Sequence, residues 1–478
     1  MGQSNSSVFR PSARRGSRTP SPTSPAQAAA QRPAPTGPTR TVDPLPAPTG
    51  TKLGLQYLCK SAGSTGLLSI VAPQTPVDSE SNAQRAPIDL TLVIDRSGSM
   101  GTGKLAMVKR SITFILSQLN SGDRLALVSY DTNVRTDFEL TACTEQEKLG
   151  MGAKVAAIRA GNTTNLSGGL QAGLKLQKKT IRDTRLQEEQ TRNAVRSLFL
   201  LTDGLANAGL TTTPEIVKLV SDARQADSSI MVHTFGFGDD HNAEMLGAVA
   251  EAGGGEYVYV EKDENLGDSF AEALGGLASV VAQSISLTVS QPGGMARPRT
   301  QFPVVAEVNG WRVDISDLYA EERRDILVEM TEGVAKFRYY SILSSEWVES
   351  TLACSPRDLT DDEATAVDLA VARETTAAAM LQANEDAASG RMADARQHLQ
   401  DALKQAEAVA GDCEDIRRLQ LDLNECLETV QTSADYKSKG SKKLAWMGGG
   451  HGKQRSRGTE CAYTNSVQRS MKSAASAM

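Results

Sequence analysis

The chain has 478 residues, 40% hydrophobic and 23% charged, with a formal net charge of −6: an ordinary globular composition and enough length for two or three domains with sizeable cores. Its six cysteines have no Cys-x-x-Cys spacing and its four histidines stand apart from them, so neither a disulfide framework nor a zinc site is indicated. No apolar run approaches the length of about 18 residues that a spanning helix needs, and the N-terminus lacks the apolar core of a secretory signal, so a cytoplasmic protein with reduced thiols is expected.

Residues 1–50 hold six arginines against Asp43 and ten of the eighteen prolines, which leaves too little apolar surface to offset ordering entropy. A disordered arm is predicted there. It begins Met1-Gly2-Gln3-Ser4-Asn5-Ser6, the signature for N-myristoylation at Gly2. One acyl chain binds membranes only marginally, and Arg10, Arg14, Arg15 and Arg18 would add attraction to an anionic membrane surface. Phosphates at Thr19, Ser21 and Ser24, each followed by proline, would cancel that charge, so the arm reads as a reversible electrostatic switch placing the protein peripherally on the cytoplasmic face of a membrane.

Residues 51–87 supply a strand, Leu67 to Ala72, and a connection from Pro73 to Pro87. From Ile88 strands and helices alternate as a doubly wound, mostly parallel α/β sheet requires, and this domain is assigned to residues 88–283. Strands are predicted at Leu90 to Asp95, Leu125 to Asp131, Ser197 to Asp203, Ile230 to Phe237 and Glu256 to Val260, with Val134 to Leu140 returning as a hairpin edge. Leu105, Val108, Ile112, Ile115, Leu116 and Leu119 recur at helical spacing, Lys178 to Asn193 reads as an exposed helix end and loop, and Asp240 or Asn242 would cap a later helix. The last helix is placed at about Leu266 to Ala282.

The first strand ends in Asp95-Arg96-Ser97-Gly98-Ser99-Met100. On an extended loop the alternating Asp95, Ser97 and Ser99 turn one carboxylate and two hydroxyls to one side, a hard oxygen set suited to magnesium or manganese. Thr164, in the turn Gly161 to Leu166, and Asp203, at the end of a buried strand, are the candidates to complete it. Asp95 and Asp203 both sit at carboxyl ends of strands, where doubly wound sheets bind ligands.

Residues 284–355 alternate polar and apolar in short strands, Val304 to Val308, Trp311 to Ile315, Arg324 to Met330 and Ala335 to Ser341, suggesting a small β-sandwich. In residues 356–435 Thr360-Asp361-Asp362-Glu363 is a capping box, Gly390 closes the first helix, and two further apolar stripes follow, so an antiparallel helical bundle is expected. Residues 436–478 carry nine Lys and Arg against Glu460 among glycines and serines and read as a basic, flexible, solvated tail. Without an aromatic stacking array, nucleic acid is not an expected partner.

Asp95, Ser97, Ser99, Thr164 and Asp203 together resemble the metal-ion-dependent adhesion site of the von Willebrand factor A domain, with every position of the motif filled over roughly residues 85 to 285. The stretch Asp317 to Val328 resembles the β module that accompanies such domains in inter-alpha-trypsin-inhibitor heavy chains and in intracellular plant and protist relatives; Leu67 to Ala72 would join that module from before the A domain. The resemblance implies that Asp95 is the direct anionic ligand of a magnesium ion, Ser97 and Ser99 are neutral donors, Thr164 closes the site in the liganded state, and Asp203 acts nearby or through water. It also implies a protein partner that presents an Asp or Glu to the metal, hence a non-enzymatic adaptor. Some such relatives are ubiquitin ligases with a RING module, but residues 1–58 contain no Cys or His, so ligase activity is not carried over.

Two other readings use the same loop. Gly98-Ser99-Met100-Gly101-Thr102-Gly103-Lys104 fits a phosphate-binding loop up to its lysine, yet Leu105 stands where a hydroxyl must hold magnesium, and a metal-dependent phosphoryl or nucleotide enzyme would lack an evident general base. The other is a structural scaffold whose metal site is vestigial.

Overall fold

A computed structural model describes residues 51–60, 65–74, 85–101, 103–178, 181–182, 189–190, 192–238, 240–262, 265–409, 413–455 and 463–477. Gly2 and the N-terminal arm lie outside the described residues.

The chain enters through a hairpin, β1 (Gly54–Cys59) and β2 (Thr65–Val71). The first domain then runs through β3 (Ile88–Asp95), α1 (Lys104–Gln118), β4 (Arg124–Tyr130), β5 (Val134–Ala142), α2 (Glu145–Ala157) and α3 (Leu166–Lys178). After a short pair, β6 (Ile181–Arg182) and β7 (Glu189–Gln190), it continues through β8 (Val195–Thr202), α4 (Thr213–Ala226), β9 (Ile230–Phe237), α5 (Ala243–Ala252), β10 (Gly254–Val260) and α6 (Leu266–Ala278). Its sheet has the order β10-β9-β8-β3-β4-β5, parallel throughout except for the antiparallel edge strand β5.

β3, β8 and β9 are buried along their whole lengths, which is why they read as continuous apolar runs rather than alternating ones. Val108 and Ile112 of α1 and Phe270 and Leu274 of α6 pack with Leu90, Leu92 and Phe199 on one face of the sheet. Leu170 of α3, Val220 of α4 and Leu246 of α5 pack with Val93, Leu198 and Leu200 on the other. Asn242 caps α5 by accepting from the Met245 amide at 3.0 Å. Because β3 leads to β4 on one side while β8 lies on the other, the connections leaving their carboxyl ends diverge and open a crevice there.

The second module is two facing antiparallel sheets. Five strands, β11 (Val280–Ser290), β12 (Val304–Glu307), β13 (Gly310–Tyr319), β15 (Gly333–Ser341) and β16 (Glu346–Cys354), form one; β1, β2 and β14 (Arg323–Glu329) form the other. Tyr57, Leu68 and Ile70 from the smaller sheet meet Leu287, Val313 and Phe337 from the larger in one core. β2 does join from before the α/β domain, pairing with β14, whereas β1 and β16 were not among the expected strands. The helix expected to reach Ala282 stops at Ala278, and β11 starts at Val280 rather than Ser284. Ser279 turns the chain by donating to the Gly276 carbonyl, and Val280 and Ala282 enter the sheet opposite Tyr319 and Leu318, so β-pairing overrides what looked like helix continuation.

In the helical region α7 (Asp361–Ala388) opens with the Thr360 and Glu363 capping box, followed by α8 (Met392–Ala408), α9 (Glu414–Thr429) and the short α10 (Ser433–Asp435). Met380, Leu399, Leu423 and Leu444 share its core. Leu444 belongs to the segment predicted to be a flexible basic tail, and here the structure differs. The described part of that segment folds into α11 (Ser441–Lys453) and α12 (Ser466–Ser476), packed on α7 and α6 respectively. The glycines that suggested a linker are contact positions: a methyl group on Gly448 would lie 3.1 Å from the Met380 Cβ. Several of its basic residues pair with carboxylates of the α/β domain, Lys472 with Glu272 at 2.8 Å and Lys439 with Glu261 at 2.8 Å.

Candidate metal centre

β3 delivers Asp95 to the crevice, buried, and the chain then makes a single tight turn over Gly98–Gly101 before α1. Asp95 Oδ1 accepts from the Ser97 amide at 2.7 Å, which curls the loop back over the carboxylate. Its Oδ2 accepts from the Thr202 hydroxyl at 2.7 Å, so the end of β8 holds the same group from the other side. Burial pushes the Asp95 carboxyl up to about 6, although the hydrogen bonds from Ser97 and Thr202 oppose the shift.

From Asp95 the polar atoms form a chain. Ser97 Oγ and Ser99 Oγ are 3.0 Å apart, and Ser99 Oγ donates to Asp203 Oδ1 at 2.7 Å. Asp203 Oδ2 accepts from Lys104 Nζ at 2.8 Å. Thr164 approaches from the neighbouring loop: a methyl group on Gly204 would lie 3.8 Å from Thr164 Oγ1 and 3.9 Å from Ser99 Oγ, so the two hydroxyls flank Gly204. The five predicted residues are therefore brought to one place, Asp95, Ser97, Thr164 and Asp203 buried and Ser99 exposed at the mouth.

The loops are cross-braced. Gly98 N donates to the Asn162 carbonyl at 2.9 Å and Gly161 N to the Arg96 carbonyl at 2.6 Å. Arg96 pairs with Asp131 at 2.9 Å, and Asp131 lies so close to Gly161 that a methyl group there would sit 1.7 Å from its Oδ2; only glycine fits. The Thr164 amide donates to Asn207 Oδ1 at 2.8 Å, tying its loop to the segment after β8. Sequence reasoning missed Thr202, Asn207 and the role of Lys104. A hydroxyl adjacent to the strand-end Asp203 was the visible signal for Thr202, whereas nothing local marks Asn207.

All the convergent donors are oxygens, with three hydroxyls to two carboxylates, a set that fits magnesium or manganese better than a softer ion. Among the described residues no group of three or more His, Cys, Asp and Glu side chains is placed to hold a metal ion, so this site, with two carboxylates, would depend on its hydroxyls. The loop does lie between a strand and a helix as a phosphate-binding loop would. Leu105, however, packs into the core where the nucleotide reading needs a hydroxyl, and Lys104 is engaged by Asp203.

Comparison with known proteins bears on the domain that carries this site. The von Willebrand factor type A domain family matches residues 89–272. The chain is 31% identical over 272 residues to the E3 ubiquitin-protein ligase WAV3 of Arabidopsis thaliana, covering 55% of this chain and 33% of that one. It is 28% identical over 183 residues to inter-alpha-trypsin inhibitor heavy chain H3 of Rattus norvegicus, covering 38% of this chain and 20% of that one. The match thus spans a third or less of these two relatives. Among solved structures, a von Willebrand factor type A protein from Catenulispora acidiphila superposes with a TM-score of 0.58 at 14% identity, over 82% of this chain and 96% of that one, which speaks for the fold. The α/β domain of this chain is a von Willebrand factor type A domain, joined to a β-sandwich and a set of C-terminal helices.

Proposed function

We propose that the Asp95 cluster holds a divalent cation, magnesium or manganese, and that through it the domain binds an Asp or Glu side chain of a partner protein. The observation that carries this reading is the hydrogen-bonded run Ser97, Ser99, Asp203 at the mouth of the crevice, with Asp95 beneath it and Thr164 beside it. When bound, the ion supplies a Lewis acid that a carboxylate can complete. Asp95 and Asp203 contribute the negative charge, and Ser97, Ser99 and Thr164 contribute neutral oxygens that leave the ion electron-poor. Thr202 and the Ser97 amide orient Asp95, and Asn207 holds Thr164 in range.

Binding of this kind needs no general acid or base, so the protein acts as a non-enzymatic adaptor. The ligase activity in the name of the Arabidopsis relative belongs to a protein matched over 33% of its length, and it is not part of this reading. The Gly2 signature and the four arginines after it add a second element, a lipid-assisted arm that holds the adaptor at the cytoplasmic face of a membrane.

Calorimetric titration tests the metal. Wild type should take up magnesium or manganese and Asp95→Ala should not; wild type that binds neither ion at millimolar concentration overturns the reading. Partner capture in magnesium, in EDTA and with Asp95→Ala then tests its use, and partners that persist in all three would leave the site without a part in recognition. For the arm, Gly2→Ala should move the protein from the membrane to the soluble fraction, and an unchanged distribution removes the lipid.

A further inference from the structure

Lys104 is the first residue of α1, set by Gly103, whose φ of 104° turns the chain into the helix. Its ammonium donates to Asp203 Oδ2 at 2.8 Å, while the other oxygen of that carboxylate accepts from Ser99. The Asp203 side chain is fully buried and that of Lys104 only 22% exposed, so solvent and salt screen the pair weakly. Arg96, the other basic side chain of the loop, is committed to Asp131.

We infer that Lys104 is a built-in counter-cation of the site, one that fixes Asp203 and deliberately weakens the hold on a divalent ion. This rests on reading the cluster as a metal site. Asp95 and Asp203 carry two negative charges and Lys104 one positive, so the trio has a net charge of about −1 and a dication reverses it to about +1. That surplus faces the crevice from which an acidic side chain approaches. Lys104 therefore opposes the metal and favours the anionic ligand, and the site binds its ion tightly only when a carboxylate arrives to complete it, a coupling that is reciprocal by linkage.

Calorimetric titrations of magnesium and manganese into wild type, Lys104→Met, Lys104→Gln, Lys104→Arg and Asp95→Ala test this, together with thermal melts in EDTA. Removing the ammonium should tighten metal binding by about ten-fold or more, since two charges no longer repel at short range in a poorly screened site. Lys104→Arg should stay near wild type and Asp95→Ala should not bind. In EDTA the Met and Gln variants should melt below wild type, because Asp203 loses its ion pair, while the metal raises their Tm by more. Equal or weaker metal binding by both neutral variants overturns the inference and leaves the metal site standing. Wild type that binds neither ion removes the metal-site reading and the inference with it.

Discussion

The Asp203 cluster and the cluster around Arg455 are both made of carboxylates and a basic side chain, and both lie where one element meets another. Their fates differ. Arg455, just past α11, reaches Glu256 of β10 at 2.9 Å and Glu322 at 3.6 Å, bonds Asp317, and lies 4.1 Å over the Tyr319 ring. Its side chain is 6% exposed, and its two terminal guanidinium nitrogens donate to Glu256 of the α/β domain and to Asp317 of the sandwich. At Asp203 one lysine faces one carboxylate, hydroxyls fill the remaining positions, and Ser99 is open to solvent. Charge sealed between two modules joins them, whereas charge answered only in part, at the divergent ends of β3 and β8, leaves oxygen lone pairs for a ligand.

Breaking the sealed cluster should have the larger effect. Arg455→Met would take their common cation from the buried Glu256 and Asp317, and removing one partner of a buried ion pair costs on the order of 3–5 kcal/mol. Urea denaturation should show that loss, with magnesium affinity unchanged in the surviving native protein. A loss below about 1 kcal/mol would mean that Arg455 behaves as an ordinary solvated residue.

His233 of β9 is buried beside the same cluster, and burial pushes its imidazole down to about 4, against the opposing pull of Glu256 and Asp317 and with Arg455 adding to the depression. Between pH 6.5 and 4 the unfolded chain therefore binds a proton that the folded chain refuses. Stability is retained above 6.5 and lost as the pH falls towards 4, by on the order of 3 kcal/mol in total. His233→Phe keeps a ring against Phe199, which the imidazole meets edge-on, and removes the titration. Denaturation curves at pH 7, 5 and 4 should converge for this variant relative to wild type; identical acid sensitivity would place the acid-labile group elsewhere.

The same contrast explains what could be seen in the sequence. Strands such as β9 and the loop that gathers Asp95, Ser97 and Ser99 were legible because their signals are local: a fully apolar run, or polar side chains at alternate positions after a strand. The C-terminal segment was not, because Lys439, Lys472 and Arg455 are ordered by carboxylates some 180 to 200 positions earlier in the chain, at Glu261, Glu272 and Glu256. The basic tail was visible as composition, but pairing is a property of the fold. The strand β16 escaped for a related reason: Glu346 to Cys354 is mostly exposed and takes its register entirely from β15.

The smallest expected effect sharpens the open cluster itself. Asn207 stands on the exposed segment after β8, and its side chain accepts from the Thr164 amide while its own amide donates to the Thr164 carbonyl at 3.2 Å. Asn207→Ala removes one hydrogen bond at a half-solvated position, which should cost about 1 kcal/mol or less. If Thr164 contributes to holding the ion, loosening its loop should weaken magnesium binding several-fold, less than Thr164→Ala does, and the two substitutions combined should fall short of their summed effects because they act on one loop. Calorimetry on the two single variants and the double variant measures this. Full additivity would mean that Asn207 braces the loop without setting the position of Thr164, and the metal centre would then be organised from β3 and β8 alone.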